Sequence, residues 1–210
     1  MTTLGVAFAI VGLIVGYAAD RLAARWPAHP DGTTRRRDWR TVVLPIGAAA
    51  AFGALPSRWS EPLDLAVLVV YFAALTVLAA VDLDQKLLPD VLTLPLALVA
   101  GGLVLVGHDP LLAAKDQPLL SAVLAGAGAP TILFALDRVA HGGLGAGDLK
   151  LAAGLGLISG VTRLFEGLLL ASVGAGLVIV VLMAMRRLGL RTAIPFGPIL
   201  VAGGILAALS

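Results

Sequence analysis

Residues 164–185, LFEGLLLASVGAGLVIVVLMAM, form an apolar segment of 22 residues that contains one charged side chain, Glu166. A helix that crosses the hydrocarbon core of a bilayer needs about 20 such residues. The whole chain has this character, since 59% of its 210 residues are hydrophobic and 13% are charged. A soluble domain carries about 25% charged residues. The sequence therefore predicts an all-α, polytopic membrane helical bundle.

Seven other apolar runs accompany this segment, at 3–19, 41–56, 63–81, 91–107, 118–136, 149–161 and 194–209. They predict about eight transmembrane helices in a single membrane domain, residues 1–210. The run 149–161 is short and could be a half-helix. With eight spans and the N-terminus outside, 12 of the 15 lysines and arginines lie in inner loops. If the run 149–161 did not cross the membrane, only 10 of the 15 would lie there. Because cytoplasmic loops hold an excess of lysine and arginine, the topology with eight crossings is favoured.

The segment 20–40, DRLAARWPAHPDGTTRRRDWR, is the one sizeable hydrophilic stretch. We interpret it as a solvated positive-inside loop, with anionic lipid headgroups as a further contact. The net charge of +2 is explained by these positive-inside residues and gives no reason to expect nucleic acid as a partner. The expected partner is the lipid bilayer. The chain has no cysteine, and its histidines (His29, His108, His141) are scattered, so no metal or cofactor is expected.

Two acidic clusters, VDLDQKLLPD (81–90) and GLGAGDLK (143–150), fall at the ends of predicted spans. Asp82 follows the third span, and Asp148 precedes the sixth. Between them the chain crosses the bilayer twice, which returns it to the same, cytoplasmic side. Two carboxyl groups 66 positions apart can therefore meet at one membrane depth.

Paired carboxyl groups suit the hydrolysis of an amide by water. An ionised carboxylate takes a proton from the water, while a protonated partner polarises the carbonyl and later protonates the leaving amine. Two carboxylates held close together can share one proton in this way. The alternative for Asp82 and Asp148 is a helix N-cap or an interfacial charge. The same alternative applies to Asp84 and to Asp90, which lies where it could cap the fourth span.

These residues resemble the signature segments of the type IV prepilin peptidases, which are polytopic aspartic proteases with a GxGD motif. The first segment is an aspartate, here Asp82, a few residues ahead of a Leu-Pro-Asp turn at 88–90. The second is Gly-x-Gly-Asp-x-Lys, here residues 145–150. A weaker match is IPFGP (194–198) at the start of the last span, and GYAADRLAARWP (16–27) resembles the family's first span less firmly.

The resemblance implies a membrane aspartic endopeptidase whose catalytic pair is Asp82 and Asp148, with the assignment of acid and base left open. Its substrate would be a prepilin or pseudopilin of a type IV pilus or a protein-secretion system. Such a substrate has a short basic leader that ends in glycine, followed by a hydrophobic helix in the membrane. The cut would follow the glycine at the cytoplasmic face of the bacterial inner membrane.

Five further residues are expected to support that pair. Gly145 and Gly147 permit backbone angles closed to other residues and expose main chain with which an extended peptide could pair. A flexible turn or tight helix packing is the alternative for both glycines. Lys150 would stabilise the ionised pair or orient its neighbouring carboxylate, or it is an interfacial charge. Pro89 and Asp90 belong to the turn that restarts the helix.

The family normally has, after its first span, a long cytoplasmic domain with two CxxC pairs that bind zinc and are associated with N-methylation of the new terminus. Here the short basic loop 20–40 stands in its place, so we expect a peptidase without that activity or with methylation supplied by another protein. A small ion- or proton-coupled transporter that uses interfacial acidic residues is the alternative, although transporter acids usually lie near the midplane. A catalytically silent assembly partner is a third interpretation. A presenilin-like enzyme is disfavoured because the chain has no Tyr-Asp pair.

Overall fold

The structure is a computed structural model that describes residues 3–28, 32–112, 117–139, 143–186 and 195–210. His29, His141 and Ile194 lie outside the described residues. Within them the regular elements are all helical, so the all-α prediction is confirmed. In chain order the helices are α1 (Thr3–Ala23), α2 (Arg40–Ala54), α3 (Pro62–Gln85), α4 (Asp90–Val106), α5 (Pro118–Val139), α6 (Ala146–Ala184) and α7 (Gly197–Leu209), with a short 3-10 turn at Leu55–Ser57.

Most of these helices match the length of a bilayer. Within the described residues five are long and apolar enough to cross a membrane, namely α1, α2 with its 3-10 turn, α3, α5 and α6. The other two, α4 and α7, are apolar helices of 17 and 13 residues. The protein is therefore a multi-pass membrane bundle, as the apolar runs predict.

The 39-residue helix α6 is divided at Gly160, whose backbone (φ 65°, ψ −179°) is not helical. Glycine is required there because a side chain would meet Leu112 and Ser121, whose hydroxyl accepts the N–H of Val161. The first half, 146–159, packs on α4 and α5 and touches α7 at Leu155, whereas the second half, 161–184, packs on α7 at Gly167. Counted by halves, the fold has eight apolar helices within the described residues, which agrees with the eight predicted runs.

Contacts at the two ends of the bundle show how far the first half of α6 extends. At one end, which we call the site end, Lys150 of α6 pairs with Asp90 of α4. At the opposite end Arg163, just after the break in α6, donates to the carbonyl of Ser210 at 3.0 Å and lies over the ring of Trp59. The chain passes from one end to the other between residues 150 and 163. The short run 149–161 is therefore a full pass through the bundle and not a half-helix.

Small residues allow the helices to approach closely. A Cβ on Gly16 of α1 would lie 2.6 Å from the Cα of Pro45 in α2, so these two backbones are nearly in contact. Close approach of this kind is how membrane helices gain packing energy in the absence of a hydrophobic driving force. At the centre lies α3, whose Phe72 packs edge-to-face on Phe52 with ring centroids 5.8 Å apart. This packing joins α3 to α2.

Asp109 is a buried carboxyl group at the opposite end, in the segment between α4 and α5. Its Oδ1 accepts the N–H of Leu111 at 2.9 Å, and its Oδ2 is buried without a hydrogen-bond partner. Burial raises the pKa of Asp109 to about 7, partly opposed by the N–H groups of Leu111 and Leu112 and by the positive charge of Arg163, and increased by Asp64. The folded protein therefore favours the protonated form of this side chain.

A pH dependence of stability follows. Because the folded-state pKa of Asp109 lies above the ordinary value of 3.8, stability is lost as the pH rises through the interval from about 4 to about 7. Asp109→Asn keeps the acceptor for Leu111 and mimics the protonated form. We expect its Tm in detergent to exceed that of the wild type by several degrees at pH 8 and to match it at pH 4. If the variant and the wild type have equal Tm values at pH 8 as well as at pH 4, the raised pKa of Asp109 is contradicted.

Candidate active site

Asp82 lies in the last turn of α3 and is 5% exposed. The helix ends at Lys86, which has left-handed backbone angles (φ 54°, ψ 40°) and donates its N–H to the carbonyl of Asp82 at 2.9 Å. This conformation is uncommon for a residue with a side chain. The helix therefore stops one turn after Asp82, and the chain turns back toward the bundle.

The turn at 86–89 brings α3, α4 and α6 together. Pro89, with extended backbone angles (φ −66°, ψ 131°), precedes Asp90, the first residue of α4. A Cβ on Gly147 would lie 2.7 Å from the Cβ of Leu88. The start of α6 can approach this turn because residue 147 has no side chain. The Leu-Pro-Asp turn predicted from the sequence is present, and Gly147 serves close packing.

Asp148 lies in the first turn of α6 and is 9% exposed. Its Oδ2 accepts the N–H of Gly145 at 3.0 Å, which helps to cap the helix, and its Oδ1 is buried without a hydrogen-bond partner. The capping alternative thus describes one of the two oxygens. Gly145 itself has ordinary extended angles (φ −77°, ψ 152°), so the expectation of a glycine-specific backbone there is wrong. The backbone angle that favours glycine in this stretch belongs to Gly143 (φ 154°).

Asp82 and Asp148 line one cavity of about 490 Å³ at the site end. The two carboxyl groups interact electrostatically, and Asp82 Oδ2, like Asp148 Oδ1, is buried without a hydrogen-bond partner. The remaining lining residues come from the turn after α3, the segment before α6 and the start of α7 (Lys86, Leu87, Leu88, Gly143, Leu144, Gly145, Ala146, Gly147, Pro195 and Phe196). Two carboxyl groups thus line a single cavity with largely apolar walls. Such an arrangement can bind and polarise a water molecule and an amide.

Lys150 does not contact Asp148. Its Nζ lies 2.6 Å and 2.7 Å from the two oxygens of Asp90, and both side chains are exposed, at 37% and 56%. A solvent-exposed pair of this kind contributes about 0–1 kcal/mol. The interaction joins the start of α6 to the start of α4, so Lys150 supports the cavity only by linking two of the helices around it.

Among the described residues between α1 and α2, 24–28 and 32–39, Arg35 ties the segment to the bundle, whereas most of residues 32–39 are exposed, as expected of a solvated loop. Arg35 is 13% exposed and pairs with Asp20 of α1, with Asp38 at 2.6 Å and with Asp84 of α3 at 2.7 Å. Arg40 adds a second ion pair to Asp84 at 2.5 Å. Asp84 lies two residues after Asp82. This group, Asp20, Arg35, Asp38, Arg40 and Asp84, is called the ion network below, and it anchors the end of α3.

Two further residues of the site were absent from the predicted set. Lys86 lines the cavity and interacts electrostatically with Asp82. The sequence could have indicated it, because Lys86 is the one basic residue in the acidic cluster 81–90. Gly197 of α7 lies against the carboxyl group of Asp82, and its signal is the motif at 194–198. Among the described residues no group of three or more His, Cys, Asp or Glu side chains is arranged to hold a metal ion.

The fold and the cavity define a class: a polytopic helical membrane protein with two aspartates buried at one end of the bundle. Residues 69–181, which include both aspartates, match the family model described as the type IV leader peptidase family. The chain belongs to that family.

Three relatives illustrate the similarity, and each is named prepilin leader peptidase/N-methyltransferase. The protein of Bacillus subtilis is 34% identical over 171 residues, which cover 77% of this chain and 62% of the relative. That of Pseudomonas aeruginosa is 36% identical over 137 residues, covering 64% and 46%. That of Escherichia coli is 32% identical over 222 residues, covering 98% and 96%. The chain thus spans about half to three fifths of the first two relatives, and no solved structure matches it.

Proposed function

We propose that the protein is a membrane aspartic endopeptidase that removes the leader peptide of type IV prepilins or pseudopilins. The observation that carries the proposal is the single cavity lined by both Asp82 and Asp148, each of which has a buried oxygen without a hydrogen-bond partner. The family membership supports the same activity. Both aspartates come from motifs that resemble the catalytic segments of that family.

The proposed mechanism uses the two carboxyl groups in complementary protonation states. The ionised one takes a proton from a water molecule that attacks the scissile carbonyl, and the protonated one donates to the carbonyl oxygen and then to the leaving amine. Both carboxyl groups are largely buried, and the low dielectric constant of such a site strengthens these interactions. Leucine side chains of the cavity suit the apolar residues that follow the leader.

The membrane side of the site is part of the proposal. The site end carries the dense basic segment 20–40 and also Lys86, Arg138 and Lys150, whereas the opposite end carries Arg58 and Arg163 among the described residues. The excess of basic residues marks the cytoplasmic side. We therefore place the N-terminus outside and the site at the cytoplasmic face of the bacterial inner membrane, where a basic leader would lie.

A reconstituted assay tests the activity. Liposomes holding the protein and a peptide with a basic leader, a terminal leader glycine and an apolar helix of about 20 residues should release the leader, with the cut after the glycine found by mass spectrometry. The same peptide with leucine in place of that glycine is the control and should be cut far more slowly. Intact substrate after prolonged incubation, or proton flux in place of cleavage, would refute the proposal in favour of the transporter alternative.

The same assay addresses methylation. The short hydrophilic segment 20–40 has no cysteine, so we propose that this chain does not methylate the new terminus. The Escherichia coli relative aligns with 98% of this chain and is named as both peptidase and N-methyltransferase. Methylation by this chain therefore has to be measured directly. Addition of a methyl donor should leave the mass of the mature product unchanged. A product heavier by one methyl group would overturn this part of the proposal.

A further inference from the structure

The last helix begins against the carboxyl group of Asp82. Gly197, the first residue of α7, is buried, and its backbone amide faces that carboxyl group. A Cβ on Gly197 would lie 2.6 Å from Asp82 Oδ2, 2.7 Å from its Cγ and 3.1 Å from its Cβ. Because nonbonded carbon and oxygen atoms do not approach so closely, a side chain at 197 must turn the Asp82 carboxyl group or shift α7.

The first turn of α7 directs one N–H toward Asp82. Pro198 has no N–H, and the N–H groups of Ile199 and Leu200 are donated to the carbonyl of Phe196 at 3.0 Å and 3.2 Å. The amide of Gly197 is left to face the carboxyl group. The start of a helix also carries partial positive charge, which favours a carboxylate. Asp82 Oδ2, buried and without a hydrogen-bond partner, lies within this field.

We propose that Gly197 is a positioning residue for Asp82. Its missing side chain lets the start of α7 close on the carboxyl group and fixes the direction in which that group faces Asp148. This inference rests on the proposed function, since it gives Asp82 a role in cleavage. It adds a third segment, from the end of the chain, to the two motifs that supply the aspartates.

Gly197→Ala tests the inference, with Gly203→Ala as a matched control. Both glycines are buried in α7, and a Cβ at either position would lie 2.6 Å from one atom of a neighbour. At 203 that atom is the flexible Cδ2 of Leu168, on the side of α7 that packs on α6. We expect Gly197→Ala to lower kcat by on the order of 10²-fold with KM unchanged, because a small misplacement of a reacting group has effects of this size. Gly203→Ala should retain the kcat of the wild type.

A thermal double-mutant cycle gives a readout that does not depend on activity. If the added methyl group collides with the carboxyl group, Asp82→Ala should restore much of the Tm lost in Gly197→Ala. Combined with Gly203→Ala, the same substitution should have an additive effect. Should Gly197→Ala fold only together with Asp82→Ala, the collision is demonstrated directly.

The outcomes separate this inference from the proposed function. A wild type that cleaves no leader refutes the function, while the cycle still tests the contact between Gly197 and Asp82. A cycle in which Gly197→Ala and Asp82→Ala are additive overturns the inference, as does a Gly197→Ala variant with the kcat of the wild type. Equal losses of kcat in Gly197→Ala and Gly203→Ala would reduce the effect to helix packing and overturn it as well.

Discussion

Asp82→Asn and Asp148→Asn are each expected to lower kcat for leader cleavage by about 10³-fold or more, since proton transfer by a positioned side chain contributes about 10²–10⁴-fold. Asparagine has nearly the same shape as aspartate and keeps one oxygen, so the Asp148→Asn side chain could still accept the N–H of Gly145. What is lost is the ability to take up or release a proton. Initial rates of leader release at saturating substrate, measured in liposomes, provide the comparison.

The pair should also behave as a unit. If the two carboxyl groups act in one step, the double variant should be no slower than either single variant. Glu166→Gln is the control, because Glu166 lies on the same helix as Asp148, is exposed and is absent from the cavity lining. All variants should unfold at a Tm near that of the wild type. Cleavage by either single variant at the normal rate would remove that aspartate from the mechanism.

The course of the chain through the membrane could be predicted from the sequence because length and hydropathy control it. The eight apolar runs coincide with helices, and the direction of each helix follows from a simple alternation. The position of the break in α6 could not be predicted, because Gly160 lies inside the apolar run 149–161 and a glycine there has no hydropathy signal. The two long-range contacts of Arg163, with the last residue and with Trp59, show where the chain turns.

The meeting of Asp82 and Asp148 could also be predicted, because an even number of crossings returns the chain to the same end. The details around them could not. Lys150 follows Asp148 by two positions, and residues two apart do not face each other on a helix. It therefore reaches across to Asp90, 60 positions earlier in the chain. For the same reason the contact of Gly197 with Asp82 depends on packing between distant helices, which no local pattern reports.

The ion network was missed for a different reason. Arginines in a short loop between two spans satisfy the positive-inside rule whether they are solvated or buried. The partners of Arg35 are Asp20, Asp38 and Asp84, which lie on two helices and the loop itself. Their pairing requires that the loop folds back between the ends of α1 and α3. Only the packed structure shows which arginines of the loop are paired and which are solvated.

Arg35→Met is expected to destabilise the site end strongly. Asp20 has no exposed side-chain surface and Asp84 has 2%. Removing one partner of a buried ion pair costs about 3–5 kcal/mol, because the remaining charge stays buried without its partner. Arg21 and Arg40 still pair with these carboxylates, so we expect the lower part of that range, a Tm lower by roughly 10 °C. Thermal unfolding in detergent measures the difference.

The matched control is Arg36→Met, which removes an exposed arginine from the same loop and should change the Tm by no more than about 1–2 °C. Arg35→Lys keeps the charge but not the planar group that reaches three carboxylates, so its Tm should lie between those of the wild type and Arg35→Met. Because Asp84 lies two residues after Asp82, loosening the network should also lower kcat while the variant is still folded. An Arg35→Met variant as stable and as active as Arg36→Met would show that the network does not anchor α3. Its charges would then serve membrane topology alone.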